Sequence, residues 1–297
     1  MSTQADARAE AFEPHRAYLF GVAYRLLGEV AAAEDAVQEA FLRLERAPGD
    51  LREPRAWLTT VVTRLCLDEL RSARARREVY VGPWLPEPIV SAVSGDTGDP
   101  AQRAEDVESL SMAMMVVLES LSPMERAVFV LREVFGYDYA ELAAMLDKTE
   151  AAVRQLAHRA REHVQARRPR FDHDDERRRE AVERFLVATL TGDIEGLMAT
   201  LSEDAVLLSD GGGVVQAARK PILGPDRIAR FFLGLAAKYM TPAHRAEIAT
   251  VNGSVGLLLW DGERLDSVIG FDVLDGLVVR VHAVRNPAKL AAASARL

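Results

Sequence analysis

A set of long polar side chains recurs on one face of a short stretch near the middle of the chain. The set consists of Arg154, Gln155, His158, Arg159 and Arg161. At 100° per residue the apolar residues among them, from Val153 to Val164, fall on the opposite face, which predicts an amphipathic helix. Arginine and glutamine pair with purine edges in the DNA major groove. The spacing therefore favours DNA recognition, with a solvated basic face as the alternative.

The residues before this helix are typical of the first half of a helix-turn-helix. A shorter helix is predicted over about Tyr137 to Leu146, where leucines recur on one side and small alanines leave room for another helix. Asp147 tolerates the left-handed conformation that often ends a helix, and Thr149 is expected to cap the next helix through its hydroxyl. In such a unit the second helix enters the major groove.

Composition indicates a chain with several packed cores. Its 297 residues are 49% apolar, which is sufficient for two or three domains. No run approaches the roughly 18 apolar residues that span a bilayer, and the first residues lack a signal-peptide pattern, so a cytoplasmic protein is expected. Cys66 is the only cysteine, which excludes an internal disulfide and a thiolate zinc cluster. No metal and no cofactor are expected.

The net charge of −8 opposes nucleic-acid binding unless the basic residues are clustered. One cluster includes Arg71, Arg74 and Arg77, at a helix end where cations also complement the helix dipole. A second runs from Arg154 to Arg170. DNA contacts are expected at these two clusters.

Three amphipathic helices are predicted ahead of the first basic cluster. They cover about Phe12 to Leu27, about Ala31 to Arg46, and a third that begins at Pro54, where a missing N–H is harmless. The second helix leaves polar side chains exposed, namely Glu34, Asp35, Gln38 and Glu39. That surface is a candidate for docking a protein, and a solvated helix face is the alternative.

A segment rich in Gly, Pro, Ser and Asp, from Val81 to Glu105, is predicted to be a flexible hinge. It begins with the apolar, proline-stiffened residues Trp84 to Pro88, which suit either a cap on a neighbouring domain or a regulatory contact. Helices are predicted again from Glu108 to Leu121 and from Ser122 into the helix-turn-helix.

The last third of the chain changes from helical to strand periodicity. Helices are predicted from Glu176 to Thr191, over about Leu197 to Leu201 and from Pro225 to Tyr239. Turn signals separate the β-rich runs that follow: Asn252-Gly253, Asp261-Gly262 and Asp275-Gly276. About Ala246 to Val284 is therefore predicted to be a four-stranded antiparallel meander, which the helices would cover in an α+β domain.

This domain also carries residues that suit an enzyme. Its acid and base candidates are Asp210, Asp272, His244 and His282. If the alternate apolar residues of the last strand face a cavity, His282 faces away from it, as a surface or hydrogen-bonded histidine does. The sequence has no glycine-rich phosphate loop, no metal-ligand spacing and no nucleophile elbow. An isomerase or hydrolase is therefore the alternative function.

Separate blocks of sequence resemble the extracytoplasmic-function sigma factors of bacterial RNA polymerase. Ala33 to Leu44 is similar to the polymerase-docking helix, Arg55 to Arg71 to the segment that melts and reads the minus 10 element, and Tyr137 to Arg161 to the region that reads the minus 35 element. The resemblance implies polymerase contacts by Glu34, Asp35, Gln38, Glu39 and Phe41. It implies promoter contacts by Arg64, Arg71, Arg74, Thr149, Arg154, Gln155, His158, Arg159 and Arg161. Thr63-Arg64 departs from the usual Arg-Asn pair, and Asp147 from the usual glycine.

The end of the chain resembles the SnoaL-like, nuclear-transport-factor-2-like cone domain appended to one group of these sigma factors. The matching motifs are Trp84 to Pro88, Asp210 to Gly213 and Asn286 to Leu290, with Ala288 and Val214 in place of a usual aspartate and lysine. The resemblance implies regulation in cis through Trp84, Leu85, Pro86, Asp210, Gly211, Gly212, Gly213, Asn286, Pro287 and Lys289. By itself the triple glycine favours an ordinary hairpin loop.

The expected architecture is multidomain, with two all-α sigma domains and a C-terminal α+β SnoaL-like domain. The boundaries are 1–80 for sigma region 2, 81–107 for the flexible linker, 108–168 for sigma region 4 and 169–297 for the last domain. Core RNA polymerase and promoter DNA are the expected partners, with no membrane and no obligatory separate anti-sigma factor. A transcription initiation factor without enzymatic activity is preferred. A ligand-sensing transcription factor is a further alternative, because the sequence leaves open whether the last domain binds a small molecule.

Overall fold

The protein, described here by a computed structural model over residues 8–48, 53–78, 80–91, 111–167 and 174–294, forms two compact units. Unit 1 combines Met1–Glu78 with Val117–Arg168. Unit 2 combines Val79–Val116 with Pro169–Leu297. Unit 1 therefore contains predicted sigma region 2 and predicted sigma region 4 from Val117 onward, whereas the segment that connects them along the chain belongs to unit 2.

Helices make up unit 1, and most of them begin and end where the local sequence predicts. After a helical stretch at 8–12 and a 3-10 turn at Glu13–His15, the helices are α1 (Arg16–Leu27), α2 (Val30–Arg46), α3 (Pro54–Glu78), α4 (Met112–Glu119), α5 (Pro123–Phe129, continuing as a π-helical turn to Val134), α6 (Tyr139–Leu146) and α7 (Glu150–Arg167). The first residues of α4, Met112 to Val116, belong to unit 2. Gly28 ends α1 in the left-handed conformation. Capping boxes begin α5 at Ser122 and α6 at Asp138.

The two sigma-like regions of unit 1 pack against each other through polar side chains as well as an apolar core. Arg126, only 2% exposed, donates from Nε to the Arg25 carbonyl oxygen at 3.0 Å and forms an ion pair with Glu119. The Tyr18 hydroxyl donates to the Tyr137 hydroxyl at 2.9 Å. Because a buried charge is costly unless it is paired, Arg126 specifies how α5 sits on α1.

Unit 2 is an α+β domain built on one seven-stranded sheet. The strands are β1 (Val90–Ser91), β2 (Leu201–Asp210), β3 (Ile222–Leu223), β4 (His244–Val251), β5 (Ser254–Asp261), β6 (Arg264–Leu274) and β7 (Leu277–Val284), in the order β1-β4-β5-β6-β7-β2-β3. Its helices are α8 (Asp175–Thr191), α9 (Ile194–Ala199), α10 (Pro225–Tyr239) and α11 (Pro287–Ser294). All described pairs are antiparallel except β2 with β7.

The two faces of this sheet are covered by different parts of the chain. Helices α8 to α10 cover one face, where Phe185 packs against Phe232 and Phe271. The connecting segment and α11 cover the other face, where Leu85 and Leu290 are buried. Amphipathic helices on one face were predictable, but the apolar cover on the second face comes from distant parts of the sequence.

The predicted meander over about Ala246 to Val284 is confirmed as β4 to β7. Asn252 and Asp275 adopt the left-handed conformation expected of their turns, but the middle loop consists of Gly262 and Glu263, one residue later than predicted, because Asp261 still pairs with Arg264. The long strand β2 was not predicted.

The expectation of a flexible linker over 81–107 is wrong for its described part. Val90 and Ser91 pair with β4 as an edge strand, and the Ile89 N–H donates to Asn252 Oδ1 at 3.1 Å. Leu85 is fully buried. Apolar side chains docking on the sheet outweigh the turn-forming composition, and the rest of the linker, 92–107, lies outside the described residues.

Replacing Arg126 with Met should destabilise unit 1 by about 3–5 kcal/mol, because Met cannot replace the ion pair with Glu119 or the hydrogen bond to the Arg25 carbonyl oxygen that the buried guanidinium makes. The free energy of unfolding from urea denaturation measures this loss. Arg43→Met, which removes an exposed α2 ion pair with Glu39, is the matched control and should cost about 0.3–0.5 kcal/mol. Equal losses in the two variants would contradict the structural role of Arg126.

Candidate functional site

The exposed face of α7 carries the side chains predicted to contact DNA bases. Arg154, Gln155 and His158 are exposed, whereas Val153 and Ala160 on the other side are fully buried. The helix is therefore amphipathic in the sense that the sequence predicts. Long hydrogen-bond donors on the free face of a second helix are the arrangement that delivers side chains to the major groove.

The turn before α7 has the predicted capping geometry. Asp147 ends α6 at φ 53°, in the left-handed region. Thr149 Oγ1 accepts a hydrogen bond from the Ala152 N–H at 3.2 Å, so its hydroxyl caps the start of α7. Thr149 thus has a structural partner, and a promoter contact by the same hydroxyl remains a prediction.

Two arginines of the predicted DNA-binding set are held by carboxylates within unit 1. Arg159 Nε lies 3.0 Å from Glu125 Oε1, and Arg161 Nη2 lies 2.7 Å from Glu133 Oε1. The Glu133 hydrogen bond, followed by one from Tyr139, raises the pKa of Arg161. These two guanidiniums therefore support the packing of α7 on the preceding helices, a role that the sequence did not indicate.

Of the region 2 residues predicted to bind DNA, Arg64 contacts the helix-turn-helix itself. Arg64 Nε donates to the Met145 carbonyl oxygen at 3.2 Å, at the end of α6. Arg71 is exposed and pairs with Asp68 at 3.0 Å. The side chain of Arg74 lies outside the described residues.

The predicted polymerase-docking surface is a polar ridge on α2. Glu34, Asp35 and Gln38 are exposed, and Glu39 forms an i,i+4 ion pair with Arg43 at 2.9 Å. Phe41 differs from these residues, because its ring packs against the Phe12 ring at a tilt of 51°, with the centroids 4.9 Å apart. Its contact within unit 1 holds the N-terminal helical stretch against α2.

The motifs of unit 2 that were predicted to be regulatory meet around the buried carboxylate of Asp210, at the end of β2. Its Oδ1 accepts hydrogen bonds from the Tyr80 hydroxyl at 2.6 Å and from the Gly212 N–H at 3.0 Å. Its Oδ2 accepts from the Leu85 N–H at 2.9 Å and from Lys289 Nζ at 2.7 Å. We call Asp210, Gly212 and Lys289 the linker-binding site, and we count Tyr80, which it holds together with Leu85, as the first residue of the linker. Asp210 is fully buried, so each of these bonds replaces lost hydration.

Lys289 supplies the charge that makes this burial tolerable. Besides its ion pair with Asp210, Nζ donates to the Leu85 carbonyl oxygen and lies 4.0 Å from the centroid of the Trp84 ring. The Asn286 amide donates to the Tyr80 hydroxyl at 2.8 Å, and its Oδ1 caps α11 by accepting from the Ala288 N–H. Pro287 is the exposed first residue of that helix, and Pro86 is buried beside Leu85.

The glycines that follow Asp210 are required by close approach, so the expectation of an ordinary hairpin loop is wrong. Gly212 has φ +63°, and a Cβ there would lie 2.5 Å from the Asn286 amide nitrogen. A Cβ on Gly211 would lie 2.5 Å from the Val215 carbonyl oxygen, and one on Gly213 would lie 3.1 Å from Val81. Tyr80 was not predicted as a site residue, because its partner Asp210 is 130 residues away along the chain.

The enzyme candidates of unit 2 do not form an accessible site. His282 is on the sheet face opposite α8 to α10, as predicted, but it is fully buried and not at the surface. Its Nε2 lies 3.0 Å from Asp272 Oδ2, so the carboxylate satisfies one ring nitrogen. Among the described residues no cluster of three His, Cys, Asp or Glu side chains could hold a metal ion. No helix in that part of the chain combines the length and apolarity needed to cross a bilayer.

Comparison with known proteins agrees with both sigma-like regions. Residues 11–76 match the Sigma-70 region 2 family, and residues 111–164 match the Sigma-70, region 4 family. The RNA polymerase sigma factor SigJ of Mycobacterium tuberculosis, from the extracytoplasmic-function (ECF) group, is 42% identical over 94% of this chain and 91% of its own length.

The chain belongs to the ECF sigma factors. A probable ECF sigma factor of the same organism, SigI, is 34% identical over 97% of the chain and 96% of its own length. The crystal structure of M. tuberculosis SigJ superposes with a TM-score of 0.78 at 39% identity, covering 95% of this chain and 98% of that one. The expected architecture, two helical sigma domains followed by an α+β domain, is confirmed. ECF sigma factors are transcription factors, so core RNA polymerase and promoter DNA are the partners of the family.

Replacing Gly212 with Ala should release the Leu85 amide from Asp210, because the new Cβ would displace Asn286 and strain a left-handed residue. Weakening by about 1–2 kcal/mol would speed hydrogen exchange at that amide by about 5- to 30-fold. Gly262→Ala is the matched control, since Gly262 has φ +61° but open space around it. If both variants exchange at the wild-type rate, the contact at Gly212 does not hold the linker.

Proposed function

We propose that this ECF sigma factor is regulated in cis by its C-terminal domain, which binds the chain segment between the two sigma regions. The observation that carries the proposal is the linker-binding site, where Asp210 and Lys289 hold Tyr80 and Leu85. That segment leads into region 2 on one side and into region 4 on the other. A domain that binds it limits the length of chain available between the two regions.

Promoter recognition requires the two regions of unit 1 to separate. The minus 35 and minus 10 elements differ by about 25 base pairs, or roughly 85 Å of duplex at 3.4 Å per step. Arg64, predicted to act at the minus 10 element, is 3.2 Å from Met145 in the helix-turn-helix. Two regions whose groups are in contact cannot act at sites so far apart, so the closed unit 1 is the form of the protein before it binds polymerase.

The linker supplies the reach for this separation. The twelve residues 80–91 would span about 40 Å if fully extended. While they are docked on the sheet, this length is not available to separate the two sigma regions. Undocking would replace the Tyr80 and Leu85 hydrogen bonds by hydrogen bonds to water and expose the apolar linker side chains. We infer that the free energy of binding core polymerase to the two sigma regions offsets the free energy needed to undock the linker.

The residues proposed to contact polymerase and DNA are those whose side chains are exposed on α2 and α7, together with the residues that border them. Glu34, Asp35, Gln38 and Glu39 form the polar ridge for core polymerase, and Phe41 stabilises that ridge through Phe12. Arg154, Gln155 and His158 contact the minus 35 element directly. The edges of this surface are formed by Thr149, Arg159 and Arg161, which contact the same element. The minus 10 element is contacted by Arg64, Arg71 and Arg74.

Regulation within one chain makes a separate anti-sigma factor dispensable, and it accounts for unit 2 without catalysis. The Asp272 and His282 pair is the strongest acid–base arrangement in the domain, but both side chains are buried on the sheet face opposite α8 to α10. We therefore assign unit 2 a regulatory role in the cytoplasm, beside the polymerase. A small molecule that displaced the linker would shift the same equilibrium between the docked and the undocked linker.

Abortive transcription with purified core polymerase tests the proposal. Asp210→Asn removes the buried negative charge that pairs with Lys289 and weakens linker docking, so the full-length variant should raise promoter-dependent output by about fivefold or more. Asp261→Asn, which changes a half-exposed carboxylate in the same domain, should match the wild type. Affinity for core polymerase, measured alongside, should not fall. Unchanged or lower output from Asp210→Asn would contradict cis regulation through the linker.

A further inference from the structure

Glu150 is the first residue of the recognition helix α7, in the part of such a helix that contacts base edges. Its side chain is 48% exposed, so it borders the surface formed by Arg154 and Gln155. A carboxylate in that position faces repulsion from the phosphates of duplex DNA, which is densely negative.

The Glu150 carboxylate and the Arg154 guanidinium form one arranged pair. Glu150 Oε2 accepts from Arg154 Nη2 at 2.8 Å, and the guanidinium also lies 5.2 Å from the centroid of the Tyr139 ring. Within the described part of the chain, Glu150 Oε1 accepts no hydrogen bond. An oriented acceptor therefore lies beside an oriented set of donors, one helical turn apart.

We propose that Glu150 reads a base of the upstream promoter element, accepting a hydrogen bond from the N4 amino group of a cytosine while Arg154 donates to a guanine. Glutamate accepts from cytosine N4, and arginine pairs with guanine O6 and N7. The carboxylate and the guanidinium lie 2.8 Å apart, close to the roughly 3.4 Å rise of one base step, so the two bases belong to neighbouring base pairs. This inference rests on the proposed promoter recognition by α7.

Glu150 could instead have one of two purely structural roles, and each of them predicts a different effect on binding when Glu150 is replaced. An acidic residue in the first turn stabilises a helix through its dipole, and loss of that effect would lower binding to all sequences alike. A residue that only orients Arg154 would, when removed, weaken the choice of guanine and nothing else. A base-reading glutamate affects a second position with its own preference.

The experiment uses the full chain with core RNA polymerase on a promoter library randomised across the upstream element, with sequencing of the transcripts. Wild type, Glu150→Ala, Glu150→Gln and Arg154→Ala are compared. Glu162→Gln, which alters another exposed carboxylate on α7, is the control. Thermal unfolding of each variant verifies that it folds.

Glu150→Ala should lose about tenfold of the cytosine preference at one position, distinct from the guanine position that Arg154→Ala affects. Glu150→Gln should turn that preference towards adenine, the base that glutamine pairs with. A uniform loss on all sequences, or a change only at the guanine position, overturns the assignment while leaving promoter recognition intact. A wild type without any upstream base preference overturns the proposed promoter recognition together with it.

Discussion

The buried ion pair between Asp210 and Lys289 is the interaction on which unit 2 depends. Two opposite charges removed from water are tolerated only when their remaining hydrogen-bonding capacity is used, and here the linker uses it. The Tyr80 hydroxyl, the Leu85 N–H and the Leu85 carbonyl oxygen complete the site. The pair is therefore fully satisfied only when the linker is docked, which couples the fold of the domain to the position of the chain between the sigma regions.

Unit 1 has a related arrangement at its own internal boundary. Arg126 is buried between α5 and α1, and the Tyr18, Tyr137 and Thr59 hydroxyls form a chain of hydrogen bonds across the two regions. Polar contacts of this kind are specific in geometry, yet water can replace most of them when the regions separate. Such a boundary suits a protein that has a closed form in isolation and an open form on the promoter.

Local chemistry made much of the fold predictable. The cap at Thr149, the left-handed Asp147 and the Asn252 and Asp275 turns depend on neighbouring residues, so the sequence contains their signals. The candidate DNA surface was predictable for the same reason, because 3.6-residue periodicity separates Arg154 from Val153. Boundaries were less exact, as the loop at Gly262 shows.

Long-range pairing accounts for what was missed. Strand β2 pairs in parallel with β7, and the two-residue strand β1 is defined only by the β4 edge that it joins. Tyr80 had no local signal, since its role comes from Asp210. Arg159 and Arg161 were assigned to DNA alone because their carboxylate partners, Glu125 and Glu133, lie on earlier helices.

The central claim is that docking of the linker on unit 2 controls whether the two sigma regions separate. A measurement of the distance between regions 2 and 4 tests this claim most directly. Fluorophores on Glu45→Cys and Gln165→Cys, both exposed positions, report it by energy transfer, while burial raises the pKa of the Cys66 thiol and keeps it unlabelled. The free chain should give a short distance that lengthens with core polymerase and promoter DNA, and Asp210→Asn should lengthen it in the free chain. Equal distances in free wild type and free Asp210→Asn would contradict control by the linker.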